Sequence, residues 1–176
     1  MKKILPVLAV AAACGAAQAQ LALSVSYEVF YPQQQRVRDL FGATWQGIGI
    51  SPSSVQIGQG LRADADFRIL SKEKGNNRVT LFTPSVGITQ TFQQYANDDM
   101  LPYVSVRVGG TYADYRFTSG SSTFDRSRTV FNTNAEAGVV FNRRLRMAVR
   151  YDWSGKVDGL EFRGFSFSAA YQLLSF

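Results

Sequence analysis

Apolar and polar residues alternate with a period of two along most of this chain, which excludes most folds before any motif is sought. Leu21, Leu23, Val25, Tyr27, Val29 and Tyr31 fall on one face of an extended segment, opposite Ala22, Ser24, Ser26, Glu28 and Phe30. Leu61, Ala63, Ala65, Phe67 and Ile69 oppose Arg62, Asp64, Asp66 and Arg68. Leu145, Met147, Val149, Tyr151 and Trp153 oppose Arg146, Ala148, Arg150, Asp152 and Ser154. Successive strand side chains point to opposite faces, so each segment is a strand with one oily and one polar side. At the angular step of a helix the same residues would scatter charge around the whole cylinder. The last stretch keeps the alternation through Phe165, Phe167, Ala169, Tyr171 and Leu173, whereas Phe176 has the opposite parity. A bulge near the end or a frayed or turned last residue would each explain that slip.

The first residues read differently. Met1-Lys2-Lys3 is cationic, Ile4 to Ala13 is apolar, and Ala17-Gln18-Ala19 is a small-x-small cleavage pattern. Residues 1–19 are expected to be a secretory signal peptide and 20–176 one exported domain. The apolar run is too short to span a bilayer as a helix, and no later segment approaches the ~18 apolar residues required. Cys14, the only cysteine, lacks the usual leucine of a lipoprotein signal and falls in the discarded segment. The mature chain then has neither a disulfide framework nor a thiolate metal site.

Five further strands are expected near 43–51, 79–90, 103–116, 129–141 and 162–176. With the three clear ones they make eight, an even number as a bacterial barrel with both ends on the periplasmic side requires. The expected fold is all-β, an eight-stranded antiparallel up-and-down transmembrane β-barrel. Linkers 32–42, 72–77, 118–128 and 155–161 would be extracellular loops, and 52–60, 91–102 and 142–144 periplasmic. Segment 37–45 is unusually apolar for a loop and would pack against the barrel rim, as a short helix capping the mouth, with contact to a partner as the alternative. Gly109-Gly110 marks a bulge or a close backbone approach. Pro84 has no N–H for a ladder bond.

Which face meets lipid decides the class. Were the oily faces inward, the chain would be a soluble calycin-like binding barrel. The polar faces, however, are rich in Gly, Ala and Ser, which suit the cramped inside of an eight-stranded barrel. Their charges also alternate in sign. Glu28, Arg62, Asp64, Asp66, Arg68, Arg107, Glu136, Arg146, Arg150 and Asp152 are expected to form a paired ladder in the lumen, because an unpaired buried ion is costly. Tyr27, Tyr31, Phe67, Tyr112, Phe141, Tyr151, Trp153 and Tyr171 mostly sit toward strand ends, as in an interfacial belt. Mean hydropathy near zero fits a barrel as well as a soluble domain.

The composition also limits chemistry. Histidine is absent, which removes the commonest general base, metal ligand and Ser-His arrangement. Asp64 and Asp66, on one face of one strand, read as ladder members flanked by Arg62 and Arg68 rather than an acid–base pair. No cofactor or metal site is expected, and the surplus of Lys and Arg is too small to argue nucleic acid. Arg116, Arg126 and Arg128, with Lys72 and Lys74, would first of all keep the loop tips soluble; the alternative is contact with lipopolysaccharide phosphates, which guanidinium groups pair well.

Three stretches carry a resemblance: Pro84-Ser85-Val86-Gly87-Ile88, the run 101–110 from Leu101-Pro102-Tyr103 to Gly109-Gly110, and the hairpin 141–153 around Asn142-Arg143-Arg144. Together with the leader, the chain resembles the small outer-membrane β-barrel superfamily of OmpA, OmpX and OmpW types. The resemblance implies residence in a Gram-negative outer membrane among lipid and lipopolysaccharide, as a monomer. It implies delivery by the outer-membrane assembly machinery, for which Phe176 is the assembly signal. It also implies a non-enzymatic role in envelope integrity or surface contact. An OmpW-like narrow conduit or binder for small apolar ligands is the alternative, and a soluble periplasmic ligand-binding barrel a third. The superfamily's lipid A deacylases and palmitoyltransferases lean on a histidine, which this chain lacks.

Overall fold

The computed structural model describes residues 22–175 apart from 53, 98, 120 and 121. The leader, Cys14 and Phe176 lie outside the described residues. Eleven strands and one helix follow in order: β1 (Ala22–Pro32), α1 (Gln35–Phe41), β2 (Trp45–Ser51), β3 (Val55–Gly58), β4 (Leu61–Lys74), β5 (Asn77–Thr91), β6 (Met100–Ser119), β7 (Ser122–Phe141), β8 (Leu145–Ser154), β9 (Lys156–Val157), β10 (Leu160–Glu161) and β11 (Gly164–Ser175). Neighbours around the wall run β2, β1, β11, β8, β7, β6, β5, β4, and a β2–β4 pairing closes the ring. Every pairing is antiparallel, so the wall is an eight-stranded up-and-down barrel with no free edge around its middle. β9 and β10 form a separate hairpin.

The pleat puts the oily faces outward. Val149 is 42% exposed and Arg150, the next residue, 2%. Val25, Ile48, Val86, Val106 and Phe167 are likewise exposed, whereas Glu28, Asp66, Arg107 and Glu136 are buried. Only a hydrocarbon surround makes this inversion of the soluble pattern favourable. Aromatic residues gather on the outer wall toward one rim. Tyr31 pairs with Phe165, Phe165 with Tyr151, and Phe82 with Tyr112; the Tyr151 ring lies 4.4 Å from Trp153 and 4.7 Å from Phe165.

Several expected linkers are shorter than the sequence suggests. Segment 52–60 is not all turn, because β3 resumes the path of β2 and pairs Val55 with Ala63 on β4. Segment 118–128 is not a loop. β6 and β7 continue as a hairpin of two 20-residue strands, paired as far as Ser119 with Ser122. Segment 142–144 is the expected tight turn: the Arg144 N–H donates to the Phe141 carbonyl at 3.0 Å, and φ is positive at both central residues, 47° at Asn142 and 60° at Arg143, as in a type I′ turn. The last strand carries a bulge, since Leu23 pairs with Leu174 but Ser24 with Gln172. Gly109 makes a close approach to the Pro84 carbonyl, where the β5–β6 ladder is interrupted between Phe82 and Ser85.

One barrel end carries the short connections 59–60 and 142–144 and the longer 92–99, which includes a 3-10 turn at Gln93–Tyr95. The other carries α1, the β6–β7 hairpin and the β9–β10 hairpin. Among the described residues no helix is long and apolar enough to cross a membrane; the strands provide the only crossing elements.

Candidate functional site

The lumen is filled in two layers. The middle layer is ionic. Arg150 lies between Glu136 (2.6 Å), Asp66 (2.9 Å) and Glu28 (3.7 Å). Arg68 holds Asp152 at 2.6 Å and Glu28 at 3.3 Å. Arg107 holds Asp64 at 2.8 Å and Glu136 at 3.4 Å. Alternation aims all these side chains inward from β1, β4, β6, β7 and β8, and barrel closure brings partners far apart in sequence together. Ser51 donates to Asp66 at 2.8 Å, and the Tyr103 hydroxyl donates to Glu136 at 2.8 Å. Small residues make room for the long ones. A Cβ at Gly87 would meet the Arg107 side chain at 2.6 Å, and one at Gly138 would meet the Tyr103 hydroxyl at 2.7 Å.

Eight of the ten expected ladder residues belong to this network. Two do not join it. Arg62 faces the short-turn end, where it is exposed and has no ion-pair partner among the described residues. Arg146 places its guanidinium 5.6 Å from the Tyr103 ring centre instead of on a carboxylate. Both stand below the ionic layer, Arg62 where water already solvates it. Tyr103 is a lumen member that the sequence reading missed; its phase on β6, two before Ser105 and four before Arg107, was the available signal.

The second layer, at the long-loop end, is apolar. Phe30, Val37, Phe41, Trp45, Leu70, Val79, Leu81, Tyr115, Phe117, Val157, Leu160 and Phe162 are all 3% exposed or less and form one cluster. α1 contributes Val37 and Phe41, as a rim-packing helix should, and β9–β10 contributes Val157 and Leu160. Trp45 is tilted against Phe30 at 5.4 Å and Phe162 at 6.0 Å, and its indole donates to the Gly42 carbonyl at 2.9 Å. These contacts close the mouth over the ionic layer. The sequence reading identified the apolar loop 37–45 but not its aromatic partners on the inward face of β6 and beside β11.

Above this plug lie the arginines considered for contact with lipopolysaccharide, and the structure separates them. Arg116 faces outward on β6, paired across to Asp125 with its Nε at 2.7 Å. Arg126 and Arg128 sit on the opposite, inward face of β7, across from Tyr115 and Ala113, whose side chains are buried. Arg126 pairs with Asp158 on the β9–β10 turn at 3.3 Å. A hydrogen bond from the Tyr115 hydroxyl at 2.6 Å, more than the two neighbouring arginines, holds the Asp158 carboxyl below its ordinary pKa, against the opposing effect of desolvation. Lys74 donates to the Asp39 carbonyl at 2.7 Å, pinning α1. No group of His, Cys, Asp or Glu suited to a metal ion occurs among the described residues.

No protein-family model matches the sequence, and no characterised protein matches it by sequence. Solved structures do resemble it. Neisserial surface protein A superposes with a TM-score of 0.66 at 16% identity, over 90% of this chain and 98% of that one. Ail, the attachment invasion locus protein of Yersinia pestis, gives 0.58 at 13%, over 89% and 99%. The outer membrane enzyme PagL gives 0.53 at 18%, over 86% and 99%. At such identities the shared property is the fold: that of small outer-membrane barrels, enzymes included.

Proposed function

We propose that this chain is a sealed, non-enzymatic barrel of a Gram-negative outer membrane that serves envelope integrity and surface contact. The filled lumen carries this reading. An ionic layer backed by an aromatic plug fills the axis with buried side chains, which favours neither a conduit nor an apolar ligand chamber of the OmpW kind. The apolar wall supports membrane residence, and the long-loop end then faces out. The protein works as a monomer, because its ring of strands closes on itself. Lipopolysaccharide packs around its upper wall, with outward Arg116 as the nearest of the expected cations. The assembly machinery reads Phe176. Absence of histidine and the engagement of Asp64 and Asp66 with Arg107 and Arg150 favour a non-enzymatic role, although the fold also supports an enzyme. The attachment protein among the structural relatives makes surface contact the favoured role.

The test is electrical. Purified protein reconstituted in planar bilayers should give no steady current, and cell fractionation should place it with the outer membrane. A sustained conductance would replace this reading with the conduit. A detergent-free soluble product would replace it with the periplasmic binding barrel.

A further inference from the structure

We propose that Arg36, Arg126 and Arg128 form a polyanion-binding seat over the barrel mouth, which takes sulfate or phosphate esters of a soluble polysaccharide approaching along the axis. The inference deepens the surface-contact reading and rests on its placement of the long-loop end outside the cell.

Three elements bring the cations together. β7 supplies Arg126 and Arg128 on one face, two residues apart and so about 7 Å along the strand. The segment leading into α1 is tied to the β9–β10 turn through one side chain: the Gln34 amide donates to the Gly159 carbonyl at 3.1 Å and accepts from the Glu161 N–H at 2.8 Å. That tie sets Arg36 over the turn, where a Cβ on Gly159 would meet its Nη1 at 3.1 Å. Asp158, next to Gly159, is the carboxylate paired within the cluster, while Glu161 on the same hairpin is held by Lys156 and Arg163 and Asp39 on α1 accepts from Gln35. Asp158 is already engaged by the Tyr115 hydroxyl and Arg126. Arg36 and Arg128 are exposed and have neither hydrogen-bond nor ion-pair partner among the described residues. The cluster therefore keeps uncompensated positive charge, with planar forks suited to sulfate and phosphate oxygens.

Direction of approach selects the ligand source. Arg126 and Arg128 share the β7 face that continues downward into the lumen through Asn132 and Asn134. Headgroups in the leaflet meet the opposite, outward face. There one cross-strand row runs Glu73, Arg78, Arg116, Asp125 over β4 to β7. Each cation of that row has a carboxylate beside it, so the lipid-facing row neutralises itself while the axial cluster does not.

The experiment uses the full mature chain folded in zwitterionic micelles free of lipopolysaccharide, with fluorescent sulfated dextran as the probe and anisotropy as the readout. A heat-dependent gel shift confirms folding of each variant. Combined Arg36→Ala, Arg126→Ala and Arg128→Ala should weaken binding tenfold or more. Arg128→Glu alone, at an exposed position, should weaken it severalfold. Arg78→Ala with Arg116→Ala should leave it within twofold, and uncharged dextran should not compete. Unchanged binding by the triple variant, or an equal loss in the outer pair, overturns the seat. Capture of purified lipopolysaccharide that depends on the three axial arginines overturns the soluble source. The assay needs no cell membrane, so a failed fractionation would remove the location and leave this result standing, and a failed binding test would do the reverse.

Discussion

The middle of the lumen and its mouth face the same axis and share β1, β4 and β6, yet they are filled by opposite chemistry. The middle is packed with guanidinium and carboxylate groups, the mouth with aromatic and aliphatic ones. An apolar cluster is non-directional, since each member gains by leaving water wherever it lands. An ionic layer is all or nothing: its members must be desolvated, and each is tolerable only with its partners in place. The mouth can therefore tolerate substitution, whereas the middle specifies one arrangement. The position of each layer follows from access to water. Loops that fold over the mouth bring oily side chains to cover, while the membrane-embedded middle receives only inward strand faces.

The sharpest attempt to break this contrast is Arg150→Met. The replacement has a long side chain but takes one cation from Glu28 and Glu136, which keep Arg68 and Arg107, and the only ion-pair partner among the described residues from Asp66. Loss of one partner from a buried ion pair costs about 3–5 kcal/mol, to be read from urea unfolding in micelles followed by tryptophan fluorescence. A cost below ~1 kcal/mol would show that the layer is incidental. Val149→Arg tests the same charge one residue away on the lipid face, where no carboxylate waits. It should cost about 2–4 kcal/mol near the bilayer midplane and lower the fraction that shows a heat-dependent gel shift. Ala148→Ser, facing inward, should be mild by the same two measurements. Equal tolerance at 148 and 149 would contradict the face assignment. The smallest expected effect is in the plug: Leu70→Met, a volume-conserving exchange, should cost under ~1.5 kcal/mol by the same unfolding assay. A loss as large as that of Arg150→Met would mean the mouth is as specifically packed as the middle.

Reading strands from the chain worked where one face met lipid and the other did not, because only there does hydropathy alternate strongly. It failed along 118–128, where, apart from Phe124 packed against the plug, the residues of the β6–β7 hairpin described on either face are exposed. Thr123, Asp125, Arg126 and Ser127 carry no alternation there, although their backbone is fully paired. It failed again at Val55–Gly58, because Pro52 and two serines interrupt β2 before β3 resumes. The ladder residues were recognisable from alternating charge sign on small-residue faces. Their partners were not: Arg68 and Asp152 lie 84 residues apart, as do Arg150 and Asp66. Arg62 and Arg146 carried the same pattern as their neighbours and differ only in depth, which periodicity does not encode.

Local sequence by itself determined the strands, their two faces and the ionic character of the inner one. Those properties follow from the pleat and from the cost of putting charge in hydrocarbon. Only tertiary closure decided which arginine meets which carboxylate, that α1 and the β9–β10 hairpin cap the mouth, and that Arg126 and Arg128 point over the axis while Arg116 points away. A strand's face is settled by its nearest neighbours in sequence, but the direction a face looks, and what it meets there, is settled by the register of the whole ring.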